Sequence, residues 1–451
     1  MAAIPFLILL NPENTLTKGG GMKIHKMIWI LLGVGFLMCF SGSAIAAESG
    51  AKNYYEGPDK PTEGKIRIGH ITIIPGFALQ EEYDDNIFLG NGDNNTTEWK
   101  ESDWITHLKP SLVLKYDMMG RGALALGYIG DFAFYNTNTG NNWTSNTIAF
   151  KGDYKAPAGL IVGINNDYVN ANDPYSDANL YRLGQNSQRW NDDLQTKLGY
   201  EFSNRFRVLG FYNFYALQYL SDQDSPQNYY SNEVGIGAEM RVMPQTWAFL
   251  RYYTGERDYT THSSASGVPN YSGSNDAAFK WNRVNTGLSW DATAKISGEV
   301  NLGYQWLTAN NEVDPYGNPY EDHNTWIAST RVNYRITPKT RLGAELFRAT
   351  LLSGGNLNQY FDETGVGINL SQDVMTKGVL RAGAGYSRDD YNQPAADTRE
   401  DNNYKALIGF DYYINDWLKA GVEYRYWDRD SNEGINDFKD NRFMMTVGVA
   451  Y

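Results

Sequence analysis

Arg331 and Arg335 alternate with Val332, Tyr334 and Ile336, and Arg425 alternates with Tyr424 and Tyr426. Successive side chains of an extended strand point to opposite faces, so such a pattern builds one charged face and one apolar face. The same alternation assigns Lys197, Arg207, Arg241, Lys295, Arg341, Arg381, Lys419 and Arg442 to a charged face, with Glu201, Glu233, Glu239, Glu299, Glu345, Asp411 and Glu423 beside them. Fixed charges in this arrangement act on ions rather than on covalent bonds. Two uses are open. Charged side chains inside a pore set its selectivity, so a lumen lined by Arg and Lys passes anions. Alternatively, opposite charges pair across neighbouring strands and fill the interior structurally.

Catalysis needs a nucleophile beside a base. After the leader described below, the histidines are His70, His107, His262 and His323. There is no Gly-x-Ser-x-Gly elbow and no His-Glu-x-x-His motif, which leaves only a chance meeting of His107 or His323 with a serine. The expectation is no enzyme and no cofactor. The acidic runs Asp84-Asp85-Asn86 and Asn172-Asp173 could offer oxygens to calcium, but neither has the twelve-residue loop spacing, so no metal site is expected. No glycine loop suits a phosphate, and acidic loops would repel nucleic acid.

The elements that must position these charges are long strands. In 295–306, Ile296, Val300, Leu302, Tyr304 and Trp306 oppose Lys295, Ser297, Glu299, Asn301 and Gln305. In 417–426, Leu418, Ala420, Val422, Tyr424 and Tyr426 oppose Lys419, Glu423 and Arg425. Period-two alternation over such lengths leaves little room for a helix. Reading the chain this way predicts strands at 66–88, 103–117, 121–136, 142–154, 158–171, 188–202, 205–220, 228–242 and 245–259. They continue at 277–291, 295–309, 323–336, 339–353, 356–371, 378–392, 401–414, 417–430 and 437–451. Their connections alternate between short turns, such as Ser203-Asn204 and Thr337-Pro338, and longer polar links, with 354–355 as a short exception. Short periplasmic turns and longer outer loops are the rule in outer-membrane barrels, and a β-sandwich gives no reason for such parity. The predicted fold is all-β: a transmembrane antiparallel β-barrel of about eighteen strands over 66–451. Residues 47–65 are too few for a plug domain.

Composition agrees. Aromatic residues are 14% of the chain, with 33 Tyr and 12 Trp, beside 45 Gly. Only alternate residues of a barrel strand face lipid, and aromatics concentrate in two girdles, so an aromatic-rich chain with no apolar run near ~20 residues after the leader fits a barrel. The net charge is −13, and the predicted outer loops hold more than that acid excess, which leaves the walls near balance with many basic residues.

The front of the chain has its own organisation. Lys18-Gly19-Gly20-Gly21 reads like a ribosome-binding site translated in frame, so residues 1–21 are taken as an upstream extension and Met22 as the start. Lys23, His25 and Lys26, the apolar stretch Met27–Phe40, and Ser43-Ala44-Ile45-Ala46 form a signal peptide over 22–46. The only cysteine, Cys39, lies in it behind Met38, a poor lipoprotein context, and 47–65 is a short periplasmic segment. At the other end Phe443, Met445, Val447, Val449 and Tyr451 share one face of the last strand. An open edge cannot sit in lipid, so this strand is expected to pair with the first.

That last strand resembles the terminal strand by which bacterial outer-membrane barrels are recognised for assembly. The chain as a whole resembles the putative β-barrel porin 2 family, on Pro75-Gly76-Phe77, on Glu82-Tyr83-Asp84-Asp85-Asn86-Ile87-Phe88, on the Tyr334-Arg335-Ile336-Thr337-Pro338 turn and on the aromatic ending. The resemblance implies a channel in the outer membrane of a Gram-negative bacterium, associated with exopolysaccharide export. Its implied partners are outer-membrane lipid, lipopolysaccharide, the barrel-assembly machinery and polysaccharide export components. A general diffusion porin for small solutes, or a non-conducting structural or adhesive barrel, are the other readings of the same residues.

Overall fold

The computed structural model describes residues 66–92, 100–174, 184–222, 224–260, 278–290, 295–312, 319–352, 360–392 and 399–450. The expected leader, the segment 47–65 and Tyr451 lie outside the described residues. Alternation carries the chain into nineteen strands: β1 (Ile66–Ile68), β2 (Ile71–Asp84), β3 (Asp103–Asp117), β4 (Gly122–Tyr135), β5 (Trp143–Lys155), β6 (Leu160–Ala171), β7 (Arg189–Phe202), β8 (Phe206–Tyr219), β9 (Tyr229–Met243), β10 (Thr246–Tyr259), β11 (Phe279–Trp290), β12 (Ile296–Ala309), β13 (His323–Thr337), β14 (Thr340–Leu352), β15 (Tyr360–Val374), β16 (Gly378–Asn392), β17 (Glu400–Tyr413), β18 (Leu418–Ser431) and β19 (Phe438–Ala450). From β2 to β19 each strand pairs antiparallel with the next, and β19 pairs with β2, from Ala450 opposite Gly76 to Arg442 opposite Asp84. Eighteen strands therefore close a transmembrane barrel with no plug domain among the described residues.

The first strand differs from the expected 66–88 at both ends. Gly69, in the left-handed region at φ 62°, and His70 turn the chain back. β1 then lies along β2, with Ile66 opposite Ile73 and Ile68 opposite Ile71. β19 reaches down β2 only to Gly76, so β1 covers the stretch of β2 edge below it, which lipid could not hydrogen-bond. The upper end stops at Asp84, because Asn86 folds the chain over. Its amide Nδ2 donates to Gly90 O (2.9 Å) and Lys439 O (3.0 Å), while its Oδ1 accepts from Gly90 N (3.0 Å). Ile87 then packs into a buried cluster with Ile105, Ala133, Tyr135 and Trp143. The short link expected at 354–355 lies outside the described residues, between Leu352 of β14 and Tyr360 of β15.

The apolar face points outward. Val422, Tyr424, Phe443, Met445, Val447 and Val449 are all exposed large apolar side chains, as are Leu198, Ile236, Leu250 and Ile368 on other strands. Lipid is the medium that makes such exposure favourable. One device at the membrane edge was not anticipated. Tyr128, Tyr212, Tyr252, Tyr386 and Tyr424 each donate a phenolic hydrogen bond to an asparagine diagonally placed on the next strand, at 2.7–2.9 Å. The ring stays in the apolar belt while its hydroxyl reaches a polar group, as amphipathic rings do at an interface.

Candidate functional site

The inward face is fixed by the same alternation. On β7 to β13 and on β16 to β18 the exposed large apolar residues fall on even numbers, save Met243 at the turn end of β9, so the odd-numbered Lys197, Arg207, Arg241, Glu299, Arg331, Arg335, Arg381, Lys419, Glu423 and Arg425 point inward. Arg341 and Glu345 join them, since Arg331 faces Glu345 and Arg335 faces Arg341 across β13 and β14. Lys295 precedes β12 and hydrogen-bonds through its carbonyl to Arg335 N (2.7 Å).

Most of these charges meet an opposite charge. Arg331 bonds Glu345, and Arg207 bonds Glu239. Arg341 reaches Asp373 (3.2 Å), Lys197 reaches Asp153 (3.4 Å) and Arg241 reaches Glu201 (3.7 Å). Arg381 sits between Asp411 (3.0 Å) and Glu423 (2.9 Å), and Glu423 also holds Arg425 (2.6 Å). Sequence reasoning missed the densest part of this lattice. Arg251, Arg257 and Arg283 are buried inside β10 and β11. Arg251 bridges Glu239 (2.8 Å) and Glu299 (3.0 Å), and Arg283 bonds Glu233 (2.6 Å). Rings complete the layer. Arg207 and Arg241 lie 4.0 and 4.5 Å from the Trp247 ring centre, and Arg251 lies 3.8 Å from that of Phe249. A signal existed: Arg251 alternates with Leu250 and Tyr252 as Arg331 does with its neighbours.

Pairing does not leave the charges equally accessible. The inward carboxylates near the outer rim are sealed, with Asp84, Asp389, Asp401 and Asp440 at 0–1% exposure. Near the periplasmic ends, the Arg331 side chain is 49% exposed even with Glu345 beside it. Arg335 is exposed, Lys419 is half-buried, and neither has a charge partner among the described residues. On β13 the inward charge that water can reach is therefore basic.

Among the described histidines, His107 and His323 each meet a carboxylate. His107 Nδ1 meets Asp131 (2.9 Å) and its ring packs on Trp143, while His323 Nε2 meets Asp362 (3.0 Å). His70 packs edge-on to Tyr116, and His262 lies outside the described residues. One trio of carboxylates converges, Asp84, Asp85 and Asp440, with oxygens within 4.8 Å of one another. Side-chain cations already stand beside it: Lys100 on Asp85 (2.7 Å) and Arg442 on Asp440 (2.8 Å). In the outer link after β16, burial opposes the charge of Arg399, but its hydrogen bond to Asp401, together with the field of Tyr391, Asp401 and Glu433, holds the guanidinium above its ordinary pKa.

The family model described as putative beta-barrel porin 2 matches residues 61–451. A search of curated proteins finds no match. Among solved structures, the outer membrane protein opdK from Pseudomonas aeruginosa aligns at 11% identity and a TM-score of 0.42, covering 84% of this chain and 99% of that one. A BenF-like porin from Pseudomonas fluorescens aligns at 11% identity and 0.45, with the same two coverages. OccAB3 from Acinetobacter baumannii aligns at 8% identity and 0.43, again over 84% and 99%.

Proposed function

The chain belongs to the putative beta-barrel porin 2 family, a porin-like outer-membrane β-barrel channel, and on that premise we propose that it is a passive, anion-preferring conduit serving an exopolysaccharide export system. The observation that carries the anion preference is the unequal access of the two signs of charge. Inward carboxylates near the outer rim, such as Asp389 and Asp401, are buried among their neighbours, whereas the inward Arg331 and Arg335 of β13 are exposed. Solvated ion pairs are worth only ~0–1 kcal/mol, so Glu345 leaves much of the Arg331 field available to a passing ion. The export role is supported by the family resemblance and by a wall dense in carboxylate, guanidinium and amide groups, chemistry that exchanges hydrogen bonds readily with sugar hydroxyls.

The test of selectivity is the reversal potential across a salt gradient in a planar bilayer. A modest anion preference in dilute salt, fading as the Debye length shrinks to about 3 Å near 1 M, is expected. A cation-selective pore unchanged by the Arg331→Ala/Arg335→Ala double variant would defeat it. For the cargo, a deletion strain should retain polysaccharide in the periplasm. A strain that secretes normally but loses uptake of small solutes would move the assignment to a general diffusion porin.

A further inference from the structure

Four of the inward cations fall on one hydrogen-bond line across neighbouring strands. Arg335 N donates to Lys295 O (2.7 Å), Arg335 faces Arg341, Arg341 faces Ser371, and Ser371 faces Arg381. The line begins at the periplasmic turn between β13 and β14 and continues through Gly409 to Glu423 on β17 and β18. Its basic end is at the periplasmic mouth.

This arrangement has a cost that pairing elsewhere avoids. Like charges directly opposite on two strands are destabilising. Four pairs further into the same hairpin, the same strands set Arg331 against Glu345. At Arg335 and Arg341 they set cation against cation. Arg341 leans away to Asp373 and Arg381 to Asp411, whereas Arg335 is exposed with no charge partner among the described residues. The half-buried Ser371 adds a hydroxyl on the same line. Lys295 and Arg335 are exposed and the Arg341 side chain stays 32% exposed beside Asp373, whereas Arg381 is 18% exposed between its two carboxylates. A guanidinium is planar and able to grip a carboxylate or sulfate with two parallel hydrogen bonds, so the exposed cations are chemistry for an anion. Strands lie ~4.8 Å apart, so Lys295 to Ser371 covers about 14 Å. A chain with an anionic group on successive units can hold several of these positions at once. A single small anion holds one.

We propose that the Lys295–Arg335–Arg341–Ser371 line is a polyanion-binding track at the periplasmic mouth, and that the cargo is an acidic polysaccharide, carrying carboxylate or sulfate groups, admitted from the periplasmic side. This rests on the conduit reading above and narrows it to a substrate class. The track captures the chain at its basic end, and the acidic outer loops oppose its return.

The experiment uses the full-length barrel in detergent. Binding of an oligogalacturonate, a sulfated heparin oligosaccharide and a neutral dextran of similar length is measured by calorimetry in dilute salt. Both anionic probes should bind and dextran should not; the stronger of the two identifies the anionic group. Arg335→Ala/Arg341→Ala should weaken binding about ten-fold, the scale of two exposed charge pairs, and Arg335→Lys/Arg341→Lys should recover part of it. Lys439→Ala, on the outer face, should leave it unchanged. Dextran bound as well as the acidic probes, or a folded double alanine variant that binds normally, would overturn the track. Bilayer conductance of the same preparation separates the two readings. A barrel that binds the acidic probes but passes no current keeps the site and loses the conduit; one that conducts but shows no acidic preference keeps the conduit and loses the site.

Discussion

Arg251 and Arg331 carry the same charge, point to the same inside and have a glutamate within reach, yet they are held in opposite ways. Arg251 on β10 is 6% exposed, bonded to Glu239 and Glu299, with a phenylalanine ring over its guanidinium. Arg331 on β13 is 49% exposed and has Glu345 alone. The β8–β12 sector spends its arginines on an interior lattice closed by rings. The β13–β18 sector buries Arg429 in the same manner near its outer end but leaves Arg331 and Arg335 of β13 facing the channel water. A charge acts on a passing solute only where it is not already desolvated and matched. The difference separates wall from function within one barrel.

The largest expected effect breaks the lattice side. Arg251→Ala leaves the buried Glu299 with no ion-pair partner among the described residues and the buried Glu239 with Arg207 alone. Removing one partner of a buried ion pair costs ~3–5 kcal/mol. Urea unfolding in lipid vesicles should show a loss of that order with little change in ion selectivity. Stability within ~1 kcal/mol of the parent would mean that water reaches this sector and the contrast with Arg331 is false.

The next effect is steric. Gly255 on β10 leaves room for the Trp281 ring of β11, which a Cβ would overlap, and the Asn232 carbonyl stands 2.7 Å away on the other side. Gly255→Ala should cost about 1–3 kcal/mol, the usual range for overpacking. A glycine in the open sector, Gly448, has only ordinary contacts near a new Cβ, the nearest being Lys419 Cε at 3.5 Å. Gly448→Ala should therefore stay within ~0.5 kcal/mol. Equal losses at the two positions in the same unfolding assay would show that both sectors are packed alike.

How much of this was readable in advance follows from what period two can encode. Alternation assigns a face, so Val422, Val447, Arg331 and Glu299 could be placed without coordinates. It does not name neighbours. The two-residue turn Pro338-Lys339 by itself would set Arg335 against Leu342; a register shift between Arg335 and Thr337 brings Arg341 opposite instead, so that pairing could not be read from the turn. Arg251 and Glu299 lie on strands separated by all of β11 and a long outer connection, and nothing local links them. Apolar residues also misled. Ile87 and Phe88 look like more strand, but Asn86 turns the chain and sends Ile87 into the mouth of the barrel. At the lower end, Ile66, Ile68, Ile71 and Ile73 suggest one continuous strand, and only Gly69 hinted that β1 doubles back. The Tyr-to-Asn bonds at the girdle were invisible because each is diagonal between two strands.

The smallest effect on stability tests the open side, and its value lies in being small. Arg331→Ala removes one member of a solvated pair, for which ~0–1 kcal/mol is expected, several-fold less than at Arg251. Glu345 then faces the lumen without its arginine. The pair was nearly neutral at a distance, so losing the cation exposes a carboxylate as well as deleting a positive charge. The reversal potential in dilute salt should therefore move toward cations by more than it does for Arg331→Ala/Glu345→Ala, which removes both. Stability should barely distinguish these two variants, while selectivity should rank them. If unfolding shows a loss near that of Arg251→Ala, or if the two variants share one reversal potential, then Arg331 belongs to the lattice after all, and the reachable charge must lie further along the wall at Arg335.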